Sequence, residues 1–339
     1  MERLVDKPIR SIAVYGAGSW GTALALQLAR NGLAVWLWDI SPEHVHTITQ
    51  ARENARYLPG IRFPDNLHCE SDLAVVARQS AWHLVVVPSH GFRGLLQRLD
   101  PLLPETAAIF WATKGLELDS GKLLHEVMQE TLPGQGYYGV VSGPTFATEV
   151  AKGFPTAMTA AATEPWLAQR IAGAFHGQSY RVYTSTDIIG VELGGAIKNV
   201  LAIAAGISDG LGFGANARAA LITRGLAEIM RLGVQMGAEP ATLMGLAGLG
   251  DLVLTCTDNQ SRNRRLGLAL GEGKALDAAL AEIGQAVEGA KSAHSIGKLA
   301  ERSGVEMPIC QQVYRILYAG LSPRQAVQEL IGRDLKAEF

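Results

Sequence analysis

The sequence GAGSWG at residues 16–21 lies between an apolar run, Ile12 to Tyr15, and an alanine- and leucine-rich run, Thr22 to Ala29. The first run predicts a buried strand, and the longer run after the glycines predicts a helix. A second apolar run, Leu33 to Trp38, predicts the next strand and is followed by Asp39. This order of strand, glycine turn, helix, strand and acid is typical of a dinucleotide-binding α/β unit.

The three glycines and the acid each have a physical task in such a unit. Gly16 permits the sharp exit from the strand, Gly18 lets a pyrophosphate approach the backbone, and Gly21 allows close packing of helix on strand. The helix start offers N–H groups and the positive end of the helix dipole to phosphate oxygens. Asp39 is expected to accept hydrogen bonds from the ribose hydroxyls. The alternative interpretation is an ordinary glycine turn with a solvated Asp39.

The composition describes a globular chain with a large core. The chain has 339 residues, of which 48% are hydrophobic and 18% are charged, and this length suggests two domains. A net charge of −2 without a basic block argues against nucleic acid as a partner. The three cysteines, Cys69, Cys256 and Cys310, fit neither a disulfide framework nor a zinc spacing. We therefore predict no metal site and a reducing compartment.

The start of the chain and its apolar runs bear on location. The first seven residues carry charges where a signal peptide needs an apolar stretch. The longest uncharged run, Ser11 to Ala29, contains the glycine turn, and we do not interpret it as a membrane span. The expectation is a cytoplasmic protein without a membrane span.

Up to about Asp187, strand-like runs alternate with helix-like runs. Three of the apolar runs are Ala81 to Val87, Ala107 to Ala112 and Tyr137 to Ser142. Runs that are apolar on both faces are typical of buried parallel strands, and the alternation predicts a doubly wound, Rossmann-type sheet. Each run ends in a polar cluster, at residues 88–90, 113–115 and 143–145. Because ligands bind beyond the carboxyl ends of parallel strands, these clusters are site candidates.

After Asp187 the sequence predicts helices almost exclusively. We therefore expect an all-α C-terminal domain, with a dinucleotide-binding domain over residues 8–188 and a helical substrate and catalytic domain over 189–335. Asn216, Ser261 and Ser322 are placed to cap three of these helices.

Three passages of the helical half carry polar residues in apolar surroundings. Lys198 interrupts an apolar helix, and it is either a general acid or a side chain that extends to water. Asp251 lies between glycines and a leucine-rich run, with Thr255 one helical turn later, and a helix cap is its simpler interpretation. The sequence Ser-Arg-Asn at 261–263 offers hydroxyl, guanidinium and amide groups at a helix start, which suits an anion or a solvated helix end.

Together these passages resemble the NAD(P)-dependent sn-glycerol-3-phosphate dehydrogenases of the bacterial type, from Ile12 to about Ala319. The motifs that carry the resemblance are GAGSWGTALA at 16–25, ATKGLE at 112–117, SGPTFATEV at 142–150, GVELGGAIKNVLAIAAGISDGLGFGANARAALITRGL at 190–226, GLAGLGDLVLTCT at 245–257 and SRNRRLG at 261–267. The block around Lys198 is the most specific of them.

The resemblance implies an oxidoreductase that interconverts dihydroxyacetone phosphate and sn-glycerol 3-phosphate, with Lys198 as general acid and base. The positions that match substrate contacts are Lys114, Gly143, Thr145, Lys198, Asp251, Ser261, Arg262 and Asn263. Those that match cofactor contacts are Ser19, Trp20, Lys114, Ala147, Arg262 and Glu288, beside Gly16, Gly18, Gly21 and Asp39 from the glycine-turn motif. The implied cofactor is NAD, with NADP as a second candidate. The implied role is supply of glycerol 3-phosphate for phospholipid synthesis.

Asp39 departs from many relatives, which carry a basic or neutral residue where the second strand ends. A carboxylate there accepts the ribose hydroxyls of NAD and repels the 2′-phosphate of NADP. The hypothesis is a preference for NADH over NADPH.

Two other functions remain open from the sequence. One is a related 3-hydroxyacid dehydrogenase that acts on a carboxylate substrate, against which the Ser-Arg-Asn cluster and the block around Lys198 argue. The other is a module that senses NADH without turnover, which does not need Lys114, Lys198 and Asp251 together. The apolar helical half is either the surface of a homodimer or a core.

Overall fold

The computed structural model describes residues 8–104, 106–334 and 337. The first seven residues, on which the prediction of no signal peptide rests, and residue 335, the predicted end of the second domain, lie outside the described residues. The chain divides into two compact units. The first comprises the residues up to Glu117 together with Leu123–Glu192, and the second comprises Leu118–Lys122 together with the residues from Leu193 onward.

The first unit is built on one sheet, for which the described residues supply eight strands. They are β1 (Ser11–Tyr15), β2 (Ala34–Trp38), β3 (Leu67–Glu70), β4 (Trp82–Val85), β5 (Ala108–Trp111), β6 (Tyr138–Ser142), β7 (Thr156–Ala162) and β8 (Tyr180–Ser185). Their order across the sheet is β3-β2-β1-β4-β5-β6-β7-β8. Neighbouring strands run parallel except β6 and β7, which pair antiparallel. The carboxyl ends of β1 to β6 therefore lie at one edge.

Helices connect these strands. They are α1 (Ser19–Arg30), α2 (Pro42–Ala51), α3 (Leu73–Arg78), α4 (Ser89–Leu99), α5 (Leu124–Thr131), α6 (Ala147–Lys152) and α7 (Pro165–Phe175), with a short 3₁₀ turn at Asp100–Leu102. Strands β4, β5 and β6 are buried along their whole length, as strands covered on both faces must be. The Rossmann-type sheet predicted from the alternating runs is confirmed.

The second unit is helical. Helix α8 (Ile188–Gly210) contains the division between the units, and the helices after it are α9 (Ala215–Gln235), α10 (Pro240–Leu243), α11 (Asp251–Thr257), α12 (Arg262–Gly271), α13 (Leu276–Ile283), α14 (Glu288–Arg302), α15 (Pro308–Tyr318) and α16 (Pro323–Ile331). A π-helical turn, Leu246–Gly250, leads directly into α11. The predicted helical character of this half is confirmed.

Helices α8 and α12 contact each other through their backbones. A Cβ placed on Gly206 would lie 2.1 Å from Arg264 O, and one placed on Gly267 would lie 2.0 Å from Ile203 O. Gly210 and Gly271, one turn further along each helix, meet the facing backbone in the same way. No side chain fits at such distances, so glycine at these positions sets how closely the two helices approach.

Three features differ from the sequence-based expectation. Strand β7 runs antiparallel to β6. The sequence did not predict this direction, because apolar runs do not reveal strand direction. Asn216 does not cap α9, whose N-cap position is Gly214, whereas Ser261 and Ser322 accept the backbone N–H bonds expected of caps. Helix α2 and strand β3 were not predicted, because their short apolar stretches are mixed with polar residues.

Two segments in the described chain are long and apolar enough to cross a membrane by length and composition alone. In Ile188–Gly210, 94% of the 18-residue apolar window is buried, as expected of a helix in the core of a folded domain. Pro240–Thr257 is less buried, and α10, the π-helical turn and α11 divide it. Length and composition are weak grounds for a membrane span, and neither segment changes the assignment of α8 and α11 to a helical unit.

Candidate active site

The glycine turn has the geometry that its sequence predicts. Gly16 has φ of +112°, and a Cβ there would lie 2.8 Å from Val86 O. A Cβ on Gly21 would lie 1.8 Å from Gly16 O, so α1 packs directly against the end of β1. At Gly18 a Cβ would meet no atom within 4 Å. The backbone is therefore accessible at Gly18, where the motif takes its pyrophosphate.

Helix α1 begins beside this accessible backbone. Its N-cap position is Gly18, and no side chain among the described residues caps it. Its first N–H groups are thus available to an anion, which the helix dipole also favours. Ser19 Oγ donates to Tyr57 O at 3.3 Å, and Trp20 Nε1 is buried without a hydrogen-bond partner in the described chain.

Asp39 stabilises the glycine turn through a hydrogen bond. Its Oδ2 accepts from Ala17 N at 2.9 Å, and its Oδ1 accepts from Ser41 N at 3.1 Å. A carboxylate has about four acceptor sites, so each oxygen can accept a further hydroxyl. Asn54 supports the same turn from within the fold, because its Nδ2 donates to Ala17 O at 2.8 Å. Asn54 was not among the predicted site residues, and no motif marks it.

Lys114 and Thr145 meet at the adjacent carboxyl ends of β5 and β6. Lys114 Nζ and Thr145 Oγ1 both donate to Gly143 O, at 3.3 and 3.1 Å. A Cβ on Gly143 would lie 2.8 Å from Met158 Cα, so this bend requires glycine. The structure thus brings together three predicted substrate contacts from two polar clusters. Ala147, a predicted cofactor contact, begins α6 directly after them.

A buried carboxylate, Glu192, lies in the first unit. It accepts from Trp111 Nε1 at 3.0 Å, from His125 N at 3.0 Å and from His125 Nδ1 at 2.6 Å. Burial raises the pKa of Glu192, although its bonds to His125 and Trp111 oppose the rise. Burial lowers the pKa of His125, but the hydrogen bond and charge of Glu192 outweigh it and hold this pKa above its ordinary value.

The second unit contains a buried lysine with two polar partners. Lys198 Nζ donates to Asp251 Oδ1 and, at 3.0 Å, to Thr255 Oγ1. Thr255 Oγ1 donates in turn to Asp251 O at 2.6 Å. All three residues are less than 10% exposed. Of the two interpretations of Lys198, extension to water is therefore wrong, because its ammonium group is held inside the unit.

Asp251 and Thr255 face one lysine because of local helix geometry. Asp251 begins α11, and Thr255 lies one turn later on the same face. The π-helical turn before α11 is a conformation found often at functional sites. Thr255 was not among the predicted site residues, although its one-turn spacing from Asp251 is visible in the sequence. The spacing to Asp251 was the available signal.

The start of α12 carries the predicted anion-binding group. Ser261 caps the helix, its Oγ accepting from Arg264 N at 3.2 Å, and the half-buried Arg262 donates to Gln285 Oε1 at 3.3 Å. Asn263 is more constrained. Its Nδ2 donates to Asn199 Oδ1 at 2.9 Å, and its Oδ1 accepts from Gly289 N at 2.9 Å.

Asn263 thus connects α8 to the first turn of α14, which begins at Glu288, a predicted cofactor contact. Its amide oxygen and one of its two N–H groups are engaged by the chain. The second N–H has no protein partner among the described residues and can donate to an anion.

The predicted residues fall into two groups, one in each unit. A glycine turn with the geometry for a dinucleotide, in a Rossmann-type unit followed by a helical unit with a buried lysine, fits a two-domain NAD(P)-dependent oxidoreductase. The accessible backbone at Gly18 and the uncapped start of α1 fit the pyrophosphate of such a cofactor.

Comparison with known proteins identifies the family. Residues 11–168 match the N-terminal region, and residues 187–328 the C-terminal region, of NAD-dependent glycerol-3-phosphate dehydrogenases. The chain belongs to this family. It is 60% identical over 328 residues to a glycerol-3-phosphate dehydrogenase (NAD(P)+) of Thioalkalivibrio sulfidiphilus, covering 97% of this chain and 98% of that protein. An Escherichia coli relative of the same name is 55% identical over 97% of both chains.

Solved structures agree with this assignment. The crystal structure of glycerol-3-phosphate dehydrogenase from Coxiella burnetii superimposes with a TM-score of 0.92 at 51% identity, covering 96% of this chain and 99% of that one. A D-mandelate dehydrogenase superimposes with a TM-score of 0.60 at 14% identity, covering 94% of this chain and 99% of that one, which shows a shared fold alone. The family resemblance, the fold class and the NAD(P)-dependent oxidoreductase activity predicted from the sequence are confirmed, and the two alternative functions are not supported.

Proposed function

We propose that the chain interconverts dihydroxyacetone phosphate and sn-glycerol 3-phosphate, with Lys198 as the general acid and base. The observation that carries this proposal is the buried cluster of Lys198, Asp251 and Thr255. A cation held by two partners in a site that excludes water is suited to an oxygen that gains negative charge. Identity to relatives named for this activity supports the substrate.

The first unit holds the cofactor in this proposal. Gly16, Gly18 and Gly21 shape the turn, and the start of α1 with Ser19 and Trp20 faces the pyrophosphate. Further cofactor contacts are assigned to Asp39, Lys114, Ala147, Arg262 and Glu288. When bound, the reduced nicotinamide supplies the hydride. The chain's own residues orient the substrate carbonyl and handle its proton.

Lys198 acts on the carbonyl oxygen. As the carbonyl carbon is reduced, negative charge grows on that oxygen, and the ammonium group stabilises the charge and then donates a proton. In the reverse direction the neutral amine accepts the hydroxyl proton. Asp251 and Thr255 hold the Nζ atom in place, which reduces the cost of orienting it during the reaction.

The phosphate group is assigned to the start of α12. Ser261, Arg262 and the remaining N–H of Asn263 supply donors at a helix N-terminus, which suits a dianion. Lys114, Gly143 and Thr145 are assigned to the substrate as well. Binding the phosphate away from the reacting carbon aligns the carbonyl for reaction.

Asp39 favours NADH over NADPH in this proposal. NADP carries a 2′-phosphate, whose negative charge would lie near this carboxylate. The repulsion between two unit charges 4 Å apart is about 1 kcal/mol in water and about 4 kcal/mol at an intermediate dielectric. Its bonds to Ala17 N and Ser41 N support the preference, because they hold the carboxylate beside the glycine turn.

The proposal extends to the organisation and role of the protein. Residues 8–188 act as the dinucleotide-binding domain and 189–335 as the substrate and catalytic domain. The activity supplies glycerol 3-phosphate for phospholipid synthesis in the cytoplasm, and the protein acts as a homodimer. The family assignment supports the domain roles and the supply of glycerol 3-phosphate. The reducing compartment suggested by the cysteines supports the cytoplasmic location, and the apolar helical half supports the homodimer.

The experiment that tests the function is a turnover assay with purified protein. Dihydroxyacetone phosphate is added with NADH or NADPH, and oxidation of the cofactor is followed by its near-ultraviolet absorbance. The proposal expects rapid oxidation and formation of sn-glycerol 3-phosphate. Tight cofactor binding without turnover would favour the sensing module instead. Turnover restricted to hydroxyacid or ketoacid substrates would favour the 3-hydroxyacid dehydrogenase.

A further inference from the structure

Helix α8 carries a second, partly buried charge on the same face as Lys198. Asp209 lies eleven residues after Lys198, which is about three helical turns or about 16 Å along the axis. The Asp209 side chain is 10% exposed, and it accepts from Arg264 Nη2 and from Arg218 Nη1. Two arginines thus converge on one carboxylate at the end of the catalytic helix.

Arg264 connects this carboxylate to the start of α12. Its backbone N–H donates to the capping hydroxyl of Ser261, and its Nε donates to Cys256 O at 3.1 Å. Its Nη1 donates to Asn259 Oδ1. The side chain therefore binds the last turn of α11 and the connection between α11 and α12, while the backbone holds the cap of α12.

The ion pairs of Lys198 with Asp251 and of Asp209 with Arg264 lie near one buried thiol, that of Cys256. Burial raises the pKa of Cys256 to about 12, while Lys198 and Arg264 act to lower it and Asp251 and Asp209 act to raise it. Helix α8 is thus tied to α11 at Lys198 and, through Arg264, to both α11 and α12 at Asp209. Together these contacts join the three helices that carry the residues assigned to catalysis and phosphate binding.

We propose that Asp209 is a positioning residue for the phosphate end of the substrate and that it acts through Arg264 on Ser261, Arg262 and Asn263. Asp209 fixes the orientation of the Arg264 guanidinium group, and Arg264 fixes the start of α12. The donors of that helix end then face the phosphate without reorganisation when substrate binds. This assignment rests on the proposed function, because it concerns how that substrate is held.

The direct test is Asp209→Asn, which keeps the size of the side chain and removes its charge. Two substrates are compared: dihydroxyacetone phosphate and dihydroxyacetone, which lacks the phosphate. The expected result is a fall of about tenfold in kcat/KM for the phosphorylated substrate, mainly through KM, with little change for dihydroxyacetone. The KM for NADH changes less than the KM for dihydroxyacetone phosphate, because Arg262 is the one residue of the three that is also assigned to the cofactor. Equilibrium binding of sn-glycerol 3-phosphate, measured by calorimetry with NAD bound, weakens by the same factor.

Arg218→Gln is the matched control. It removes the more exposed arginine from the same carboxylate and leaves the pair of Asp209 with Arg264 in place. The preference for the phosphorylated substrate is expected to remain at the wild-type value. An equal loss of preference in this variant would contradict the assignment to Arg264.

The route through Arg264 is tested with Arg264→Lys. In that background, Asp209→Asn is expected to change the substrate preference by less than about twofold, because the guanidinium group that Asp209 positions is already absent. A full tenfold effect there would overturn the proposed route. So would an equal fall for both substrates in the single Asp209→Asn variant, which indicates a merely structural role. These outcomes are distinct from failure of the proposed function, in which the wild type itself does not turn over dihydroxyacetone phosphate.

Discussion

The ammonium group of Lys198 donates to the carboxylate of Asp251, a residue 53 positions later that lies at the first position of α11. Both residues are buried, and Thr255 completes the site as a second partner of the same Nζ atom. The pair costs desolvation energy, and an apolar pair of similar size would pack without that cost. A buried lysine kept at this cost fits a chemical role better than a structural one.

Asp251→Asn is expected to lower both activity and stability. It leaves the buried ammonium of Lys198 without a counter-charge, and breaking a buried ion pair costs on the order of 3–5 kcal/mol. We expect kcat to fall at least about 100-fold, since the lysine loses the partner that orients it. Steady-state kinetics and urea unfolding measure the two effects. Thr255→Ser, which keeps the hydroxyl, is the control and should stay close to wild type. Wild-type kcat in Asp251→Asn would contradict the orienting role.

Gly267→Ala is expected to destabilise the second unit strongly. The added Cβ would lie 2.0 Å from Ile203 O, so α8 and α12 must move apart. Overpacking of this kind costs about 1–3 kcal/mol or more. Gly297→Ala is the matched control, because it lies in α14 with no atom within 4 Å of the new Cβ. The control should be neutral or slightly stabilising in thermal unfolding. Equal melting temperatures for the two variants would contradict the close helix contact.

Asp39→Asn is expected to weaken the preference for NADH. The amide keeps one acceptor for Ala17 N but loses the negative charge that repels a 2′-phosphate. We expect the wild type to prefer NADH by at least about tenfold in kcat/KM and the variant to lose most of that preference. The measurement is kcat/KM with each cofactor at saturating substrate. Equal values for NADH and NADPH in the wild type would rule out the proposed role of Asp39.

Stability is expected to decrease above neutral pH because of the pair of His125 and Glu192. The folded pKa of His125 lies above its ordinary value of 6.5, so the folded chain holds this proton more tightly than the unfolded chain. The stability gained is complete below the unfolded pKa and is lost as pH rises through the folded pKa. The rise in the pKa of Glu192, caused by burial, acts with the same sign. Between the unfolded and the folded pKa, the free energy of unfolding falls by at most about 1.4 kcal/mol per pH unit for each proton involved.

The test compares the wild type with the double variant His125→Gln, Glu192→Gln. The two amides keep hydrogen-bonding groups but do not titrate. Urea unfolding between about pH 6 and about pH 9 should show a smaller loss of stability in the variant. Identical pH profiles for the two proteins would show that this pair does not contribute to the pH dependence.

The sequence predicted the fold well where a local pattern has one structural meaning. The glycine turn followed by an alanine-rich run specifies a strand end and a helix start, and Gly16 and Gly21 have the predicted packing roles. The antiparallel direction of β7 was not predictable, because side-chain alternation is the same for both directions. Asn216 was wrongly expected to cap a helix, since a capping residue type does not itself fix where the helix begins.

Site residues were predictable when they interrupt an apolar pattern and less predictable when their role is to hold other residues in place. Lys198 and Asp251 stand out within apolar helical sequence, and their contact is observed. Asn54 and Arg264 carry no such signal, because one lies in a loop and the other in a basic helix start. Their importance comes from Ala17, 37 positions from Asn54, and Asp209, 55 positions from Arg264, which only the folded chain brings close to them.

The central claim is that Lys198 is the general acid of the reaction, and Lys198→Ala tests it most directly. Cofactor oxidation with dihydroxyacetone phosphate is measured for the wild type and the variant, together with NADH binding and circular dichroism of both. The account predicts a fall in kcat of at least about 1,000-fold in a variant that folds and binds NADH as the wild type does. A folded variant that retains kcat within about tenfold of the wild type would contradict it.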